Sequence, residues 1–274
     1  MIQFIYIHLF KETINQFLIK KGYSENNIYH LISNKNVLIN DKVVTSKNDT
    51  TPWFLSTITV TLNDELSTLP INKTKIDIVY EDDYLLIVNK PYNLDIEPTK
   101  ANYIDNLSAM INDYFINHNI KSKIHLVNRL DKLTSGLVIV AKNQYIHNLF
   151  AKTKINKRYY ALVEGNINNS GTIKVNLKKD ENSIKRIVAE DGKPCITKYK
   201  KISYQQGFSM ADVKILTGRT HQIRVSFAHI NHPLVSDPLY NEKQNDNLHM
   251  YLHAYYVSFF HPITKKYMKI KIDK

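Results

Sequence analysis

Asn128-Arg129-Leu130-Asp131-Lys132-Leu133-Thr134-Ser135-Gly136-Leu137-Val138-Ile139-Val140-Ala141 joins a polar loop to an unbroken apolar run. The run Leu137 to Ala141 has no polar face, which predicts a strand buried on both sides. A loop this polar beside buried strands places its side chains at a sheet edge or in a cleft. Asp131 has Arg129 and Lys132 close by, and such cations stabilise the negative charge of a nucleophilic or basic carboxylate. Thr134, Ser135 and Gly136 add hydroxyls and permissive backbone. An Arg-x-Asp pair on its own is equally a solvated turn with a local salt bridge, because two-residue motifs are common by chance.

Outward from this loop, short strands recur. Ile76 to Tyr80 and Tyr84 to Val88 flank an acidic turn, Glu81-Asp82-Asp83, and Lys90-Pro91 ends the second. Asn106 to Ile116 reads as a helix, and another runs through Ile146, Leu149 and Phe150. Further strands are expected at Tyr159–Val163, Thr197–Ser203, Ser209–Ile215, Tyr255–Phe260 and Tyr267–Ile272, with a helix beginning at about His221 and Thr220 placed to cap it. Strands dominate without regular βαβ alternation, which predicts an α+β fold.

Residues 1–70 read as a small unit of their own. A strand from Ile2 to Phe10 precedes a helix over Lys11–Lys20 that Gly22 is placed to stop. Ser24 is placed to cap a second helix. Asn36 to Val44 reads as a hairpin turning at Asn40-Asp41, and Leu55 to Leu62 as a strand. The polar link from Asn63 to Lys75 contains Pro70 and suggests a boundary, with the larger unit spanning 76–274.

The 274 residues carry a formal net charge of +12, which favours polyanionic partners. Six basic and six acidic residues lie before residue 70, so the whole excess belongs to the larger unit. No apolar run approaches the roughly 20 residues of a membrane span, and the opening stretch lacks the features of a signal peptide. The single cysteine, Cys195, excludes an internal disulfide and a thiolate cluster. These features lead us to expect a cytoplasmic protein. Glycine-rich phosphate loops and zinc signatures are missing, so the chemistry is expected to use ordinary side chains.

Two more segments carry chemical potential. In Thr217-Gly218-Arg219-Thr220-His221-Gln222-Ile223-Arg224, a glycine turn leads into a helix start, a position that attracts anions. Arg219 stands just before it, where it could pair with a buried carboxylate or a phosphate, and Arg224 reads equally as a surface charge. In Lys157-Arg158-Tyr159-Tyr160-Ala161-Leu162-Val163-Glu164-Gly165, two cations beside two rings suit a nucleotide: charge for phosphate, a ring face for the base.

Taken together, these segments resemble the RluA/RluD family of RNA pseudouridine synthases. Asn128 to Gly136 looks like the family's His-Arg-Leu-Asp-x-x-Thr-Ser-Gly signature. Thr217 to Arg224 is identical to its Thr-Gly-Arg-Thr-His-Gln-Ile-Arg stretch, and Lys157 to Gly165 resembles its Lys-x-Tyr-x-Ala-Leu-Val-Glu-Gly stretch. Asp237-Pro238-Leu239-Tyr240, Leu252-His253-Ala254 and His261-Pro262 follow in the family's order. Residues 1–70 resemble, less sharply, the small RNA-binding domain named after a ribosomal small-subunit protein.

The resemblance implies a mixed, largely antiparallel central sheet with flanking helices, and a small N-terminal α/β RNA-binding-like domain. It implies isomerisation of uridine in structured RNA, large-subunit ribosomal RNA first and transfer RNA second, with no cofactor or metal; a monomer is the simplest expectation. Asp131 would be the catalytic aspartate, and Tyr159 would stack on the target base. Arg219 would pair with Asp131, and Arg129 would help extrude the flipped nucleotide. RNA contacts are expected from Arg129, Lys132, Lys157, Arg158, Arg224 and Lys90. The carboxylate could attack the base, attack the sugar or remove a sugar proton. Asn128 stands where histidine is commoner, Ser226 replaces a histidine, and Asn93, Asn231 and Ser236 occupy positions usually glycine. Two other readings compete: a non-catalytic RNA-binding or ribosome-assembly protein on the same fold, and a hydrolase pairing Asp131 with Glu81, Asp82, Asp83 or Glu164.

Overall fold

The computed structural model describes residues 2–52, 55–243, 245 and 248–273. Its elements run β1 (Ile2–His8), α1 (Ile14–Lys21), α2 (Glu25–Ser33), β2 (Val37–Ile39), β3 (Lys42–Val43), β4 (Ser56–Leu62), β5 (Ile78–Glu81), β6 (Leu85–Lys90), α3 (Leu107–Asn117) and β7 (His125–Leu126). They continue β8 (Ser135–Ala141), α4 (Gln144–Phe150), β9 (Asn156–Glu164), β10 (Ser170–Lys179), β11 (Arg186–Val188), β12 (Lys193–Gln205), β13 (Phe208–Ile215), α5 (Gln222–His229), β14 (Leu252–Phe260) and β15 (Tyr267–Lys271). The fold is α+β, with a small four-stranded sheet, β1-β4-β2-β3, and an eleven-stranded sheet that is mostly antiparallel.

Local chemistry accounts for most boundaries. Thr13 and Gln16 form a reciprocal cap at the start of α1, and Gly22 ends it with φ 97°. Ser24 caps α2. Asn40 and Asp41 both take left-handed backbone, as a two-residue hairpin turn demands. Asn93, Asn231 and Ser236, the three positions where the resemblance implies glycine, have φ values of 58°, 61° and 50°. The conformation is kept without the glycine, and asparagine tolerates it best.

β8 is the keel of the large sheet. Val138 and Val140 face one core with α3, α5 and the interior of β9, while Leu137, Ile139 and Ala141 face another. That second core also contains Ile14, Phe17 and Leu18 of α1, Tyr23, and Val257 and Phe259 of β14. The hydrophobic faces of the two sheets therefore merge. The Tyr145 ring stacks on Tyr23 at 4.1 Å, and its hydroxyl donates to the Lys21 carbonyl at 2.9 Å.

β7, β10 and β11 were not expected. β10 does alternate, with Ile173, Val175 and Leu177 turned to the core side, but its intervening lysines and asparagine suggest a loop. β7 and β11 are too short for any periodicity to register. Thr220 does not cap α5: the cap residue is His221, with φ 55° and no side-chain bond to the helix start.

Candidate active site

Asp131 sits where the loop preceding β8 passes over the mouth of β9 and the start of α5. The loop is pinned from several sides. Asn128 donates its amide to the Leu137 carbonyl at 3.1 Å and accepts from the Ile139 amide at 2.8 Å, clamping the loop entrance onto β8. The Thr134 amide donates to the Asp131 carbonyl at 2.9 Å, closing a turn. Ser135 bonds His253 of β14 at 2.8 Å. Gly136, at φ 111°, lies so close to the Ala254 backbone that any Cβ would overlap it.

Lys90 completes the anchorage. It is fully buried, and its ammonium donates to the carbonyls of Pro91, Leu94 and Lys132 at 2.9, 2.8 and 3.0 Å. Burial pulls its pKa down to about 8, against the opposing pull of Asp131 and Asp95. The expectation that Lys90 touches RNA is corrected here: all three donors are spent on backbone beneath the Asp131 loop.

The partner of Asp131 also differs from expectation. Arg224, from the first turn of α5, places Nη1 3.4 Å from Asp131 Oδ2. Its other nitrogens donate to both oxygens of Asp237, Nε at 2.7 Å and Nη2 at 2.6 Å. Asp237 is completely buried and also accepts the Leu239 amide at 2.9 Å. Arg224 is thus a buried bridge between two carboxylates, not a surface charge. Arg219 instead directs Nε to the Pro194 carbonyl at 3.2 Å. It lines the same cleft as Asp131 but does not pair with it, because the turn before α5 carries it toward β12.

His221 stands 3.9 Å from Asp131 through Nε2, with Nδ1 2.8 Å from the Tyr240 hydroxyl. That hydroxyl accepts the Arg186 amide at 2.7 Å. Burial pulls the His221 pKa below the ordinary histidine value, although Asp131 opposes it. Sequence reading assigned neither His221 nor Asp237 a role, although both lie inside the segments singled out.

Tyr159 rises from β9 beside Asp131, and both line the cleft. Burial, and secondarily the charge of Asp131, push its pKa well above the ordinary tyrosine value, so the hydroxyl stays protonated. The cleft encloses about 790 Å³, within the range of roughly 300–1,000 Å³ that ligand sites occupy. Arg129 and Lys132 edge it, at 2.9 Å from Glu97 and 3.7 Å from Asp95. Lys157 lines its wall on the same face of β9 as Tyr159. Arg158, between them, points to the opposite face and forms a two-point ion pair with Asp212, so it does not line this cleft. Strand alternation alone dictates that outcome.

None of Glu81, Asp82, Asp83 and Glu164, the partners that the hydrolase reading names for Asp131, lines the cleft; the carboxylates that do, Asp95 and Glu97, face Lys132 and Arg129. Glu81 is held by Lys142 and Tyr114, and Glu164 receives a bond from Asn241. Among the described residues no cluster of histidine, cysteine and carboxylate side chains is arranged to hold a metal. No helix among them is long and apolar enough to cross a membrane.

Comparison with known proteins reaches the same loop and helix. Residues 84–229 match the family described as RNA pseudouridylate synthase. The chain is 33% identical over 271 residues to the ribosomal large subunit pseudouridine synthase D of Buchnera aphidicola (strain APS), covering 90% of this chain and 86% of the relative. It is 32% identical over 276 residues to the uncharacterized RNA pseudouridine synthase YlyB of Bacillus subtilis, covering 95% and 89%. Among solved structures, human RNA pseudouridylate synthase domain containing 1 superposes with a TM-score of 0.61 at 25% identity, covering 75% of this chain and 86% of that one. With its sequence matched over most of its length and its sheet built the same way, the chain belongs to the RluA/RluD family of RNA pseudouridine synthases, isomerases that act on RNA.

Proposed function

We propose that this chain isomerises a uridine of large-subunit ribosomal RNA, with Asp131 as the catalytic carboxylate. The observation that carries the reading is Asp131 itself, partly open to the cleft, braced from behind by Arg224 and flanked by the ring of Tyr159. In the reaction the bond between the ribose C1′ and N1 breaks and one between C1′ and C5 forms. N1 gains a proton and C5 loses one, so no redox equivalent or co-substrate is consumed. The target base must leave its stack, at a cost of a few kcal/mol. Stacking on Tyr159 and phosphate contacts from Lys157, Arg129 and Lys132 offset that cost. Arg224 acts by position: with two nitrogens fixed on Asp237, its third holds the Asp131 carboxylate in one orientation. Ribosomal RNA is favoured because relatives matched along most of the chain bear that substrate in their names.

The test is to incubate wild-type and Asp131→Asn protein with transcripts of large-subunit ribosomal RNA and of transfer RNA, then quantify pseudouridine by chromatography and mass spectrometry. Product on the ribosomal transcript from wild type, and none from the variant despite retained RNA binding, is the expected result. Product confined to transfer RNA overturns the substrate, and product from the variant overturns the role of Asp131.

A further inference from the structure

The face of the large sheet turned away from the cleft carries a transverse row of cations that the reaction does not use. Strand register places Lys198 of β12 opposite Lys214 of β13, and Lys214 opposite Arg158 of β9. Arg158 lies opposite Tyr256 of β14, and Tyr256 opposite Lys271 of β15. Five adjacent strands therefore present Lys-Lys-Arg-Tyr-Lys in one line. With strands about 4.8 Å apart, the line is roughly 19 Å long. Lys198, Lys214, Arg158 and Lys271 are all exposed. On neighbouring rows of the same face the register adds Lys200 and Lys269. The carboxylate among these paired positions is Asp212, which is committed to Arg158 and to the Tyr255 hydroxyl.

Like charges directly opposite one another destabilise a sheet, so Lys198 beside Lys214 is unfavourable for folding alone, Arg158 being compensated by Asp212. A bound polyanion reverses that sign. The face cannot serve the nucleotide held in the cleft, because Arg158 and Tyr159 are consecutive on β9 and point to opposite sides. Its ligand must reach around the sheet, beyond the nucleotides that enter the cleft. We propose that this face is a second RNA-binding surface, gripping the phosphate backbone of a helix remote from the modified nucleotide in a large folded RNA. The proposal rests on RNA being the substrate, and it explains why the charge excess lies outside the small N-terminal sheet.

The test compares wild type with Lys198→Gln/Lys214→Gln/Lys271→Gln on two probes: a transcript of a folded large-subunit ribosomal RNA domain and a short stem-loop cut from it around the modified uridine. Arg158 is left intact because it holds Asp212. On the long transcript the triple variant is expected to bind about tenfold or more weakly. The slope of log Kd against log salt should fall by roughly 2–3, close to one per cation removed. KM should rise in parallel with kcat unchanged, the stem-loop should be handled as by wild type, and the three arginine substitutions should restore long-transcript affinity. Equal loss on both probes would reduce the row to general attraction and overturn the proposal. Unchanged long-transcript binding would also overturn it, leaving the row to an acidic protein partner. A wild type that makes no pseudouridine sinks the catalytic reading, and the salt slopes on the long transcript still judge this one.

Discussion

Arg224 and Arg219 offer a discriminating experiment, because sequence reasoning and structure assign the partner of Asp131 differently. Arg224→Met removes both nitrogens bound to Asp237, which has no exposed surface. Breaking one partner out of a buried ion pair costs about 3–5 kcal/mol, since the remaining charge is left uncompensated. For a chain of this length that corresponds to a fall in Tm of roughly 5–10 °C. Arg224→Met/Asp237→Asn removes the stranded charge and should recover most of that stability. It should not recover product, because Asp131 still lacks its brace. Arg219→Ala removes an exposed side chain bonded to the Pro194 carbonyl, so stability should stay within about 0.5 kcal/mol. With RNA it should raise KM a few-fold and leave kcat intact. Thermal unfolding and single-turnover pseudouridine formation are measured on all four proteins. If Arg219→Ala abolishes the chemical step while Arg224→Met melts and reacts like wild type, the assignment drawn from the structure is refuted.

Four further perturbations probe the scaffold. Lys90, with a folded pKa of about 8 against 10.5 for a free lysine, binds its proton less readily when folded, so its contribution makes stability rise as pH climbs from about 8 to 10.5. Urea unfolding of wild type relative to Lys90→Met across that window should show the gain, and a flat difference would contradict it. Asp131→Asn should lower the Lys90 pKa further, read by NMR of labelled lysine side chains, because the Asp131 charge supports the ammonium. Leu18→Ala, at a fully buried position in the core shared by both sheets, should cost about 2–5 kcal/mol. Calorimetry should show it lowering one common transition; two separate transitions, only one of them moved, would mean the sheets unfold independently. Gly136→Ala combines a positive φ with overlap of the Ala254 backbone, so a loss above about 2 kcal/mol is expected, and near wild-type stability would show that the β8–β14 contact can yield.

What could be read from the sequence was local, and what could not depended on partners distant along the chain. The caps at Ser24 and Gly22 and the Asn40-Asp41 turn are decided within a few residues, and they fall where expected. The double burial of β8 followed from its unbroken apolar run. Lys90 was misread because a lysine beside a proline carries no mark of the Lys132 carbonyl, some forty residues on, that joins two local carbonyls in taking up its ammonium. Asn128 looked like a departure from a catalytic signature, yet its carboxamide clamps β8 with both a donor and an acceptor.

The exchange of Arg219 for Arg224 follows from the same limit. Helical periodicity picks out Ile223, Phe227 and Ile230 as the buried stripe of α5, and by that rule Arg224 belongs to solvent. The rule assumes that one side of the helix is wet. α5 is instead buried from Gln222 through Phe227, so its polar residues must find protein partners. The buried carboxylate of Asp237, thirteen residues later, is what makes an arginine tolerable there. Once Asp237 has taken two guanidinium nitrogens, the third has one direction left, and it points at Asp131. The arrangement requires a bidentate donor with nitrogen to spare. Arg224→Lys, which keeps the charge but has a single nitrogen, should therefore satisfy one carboxylate at the expense of the other. It should retain more stability than Arg224→Met and still fall well short of wild-type turnover. If Arg224→Lys turned over as wild type does, charge alone would suffice and the bridging geometry would be irrelevant to catalysis.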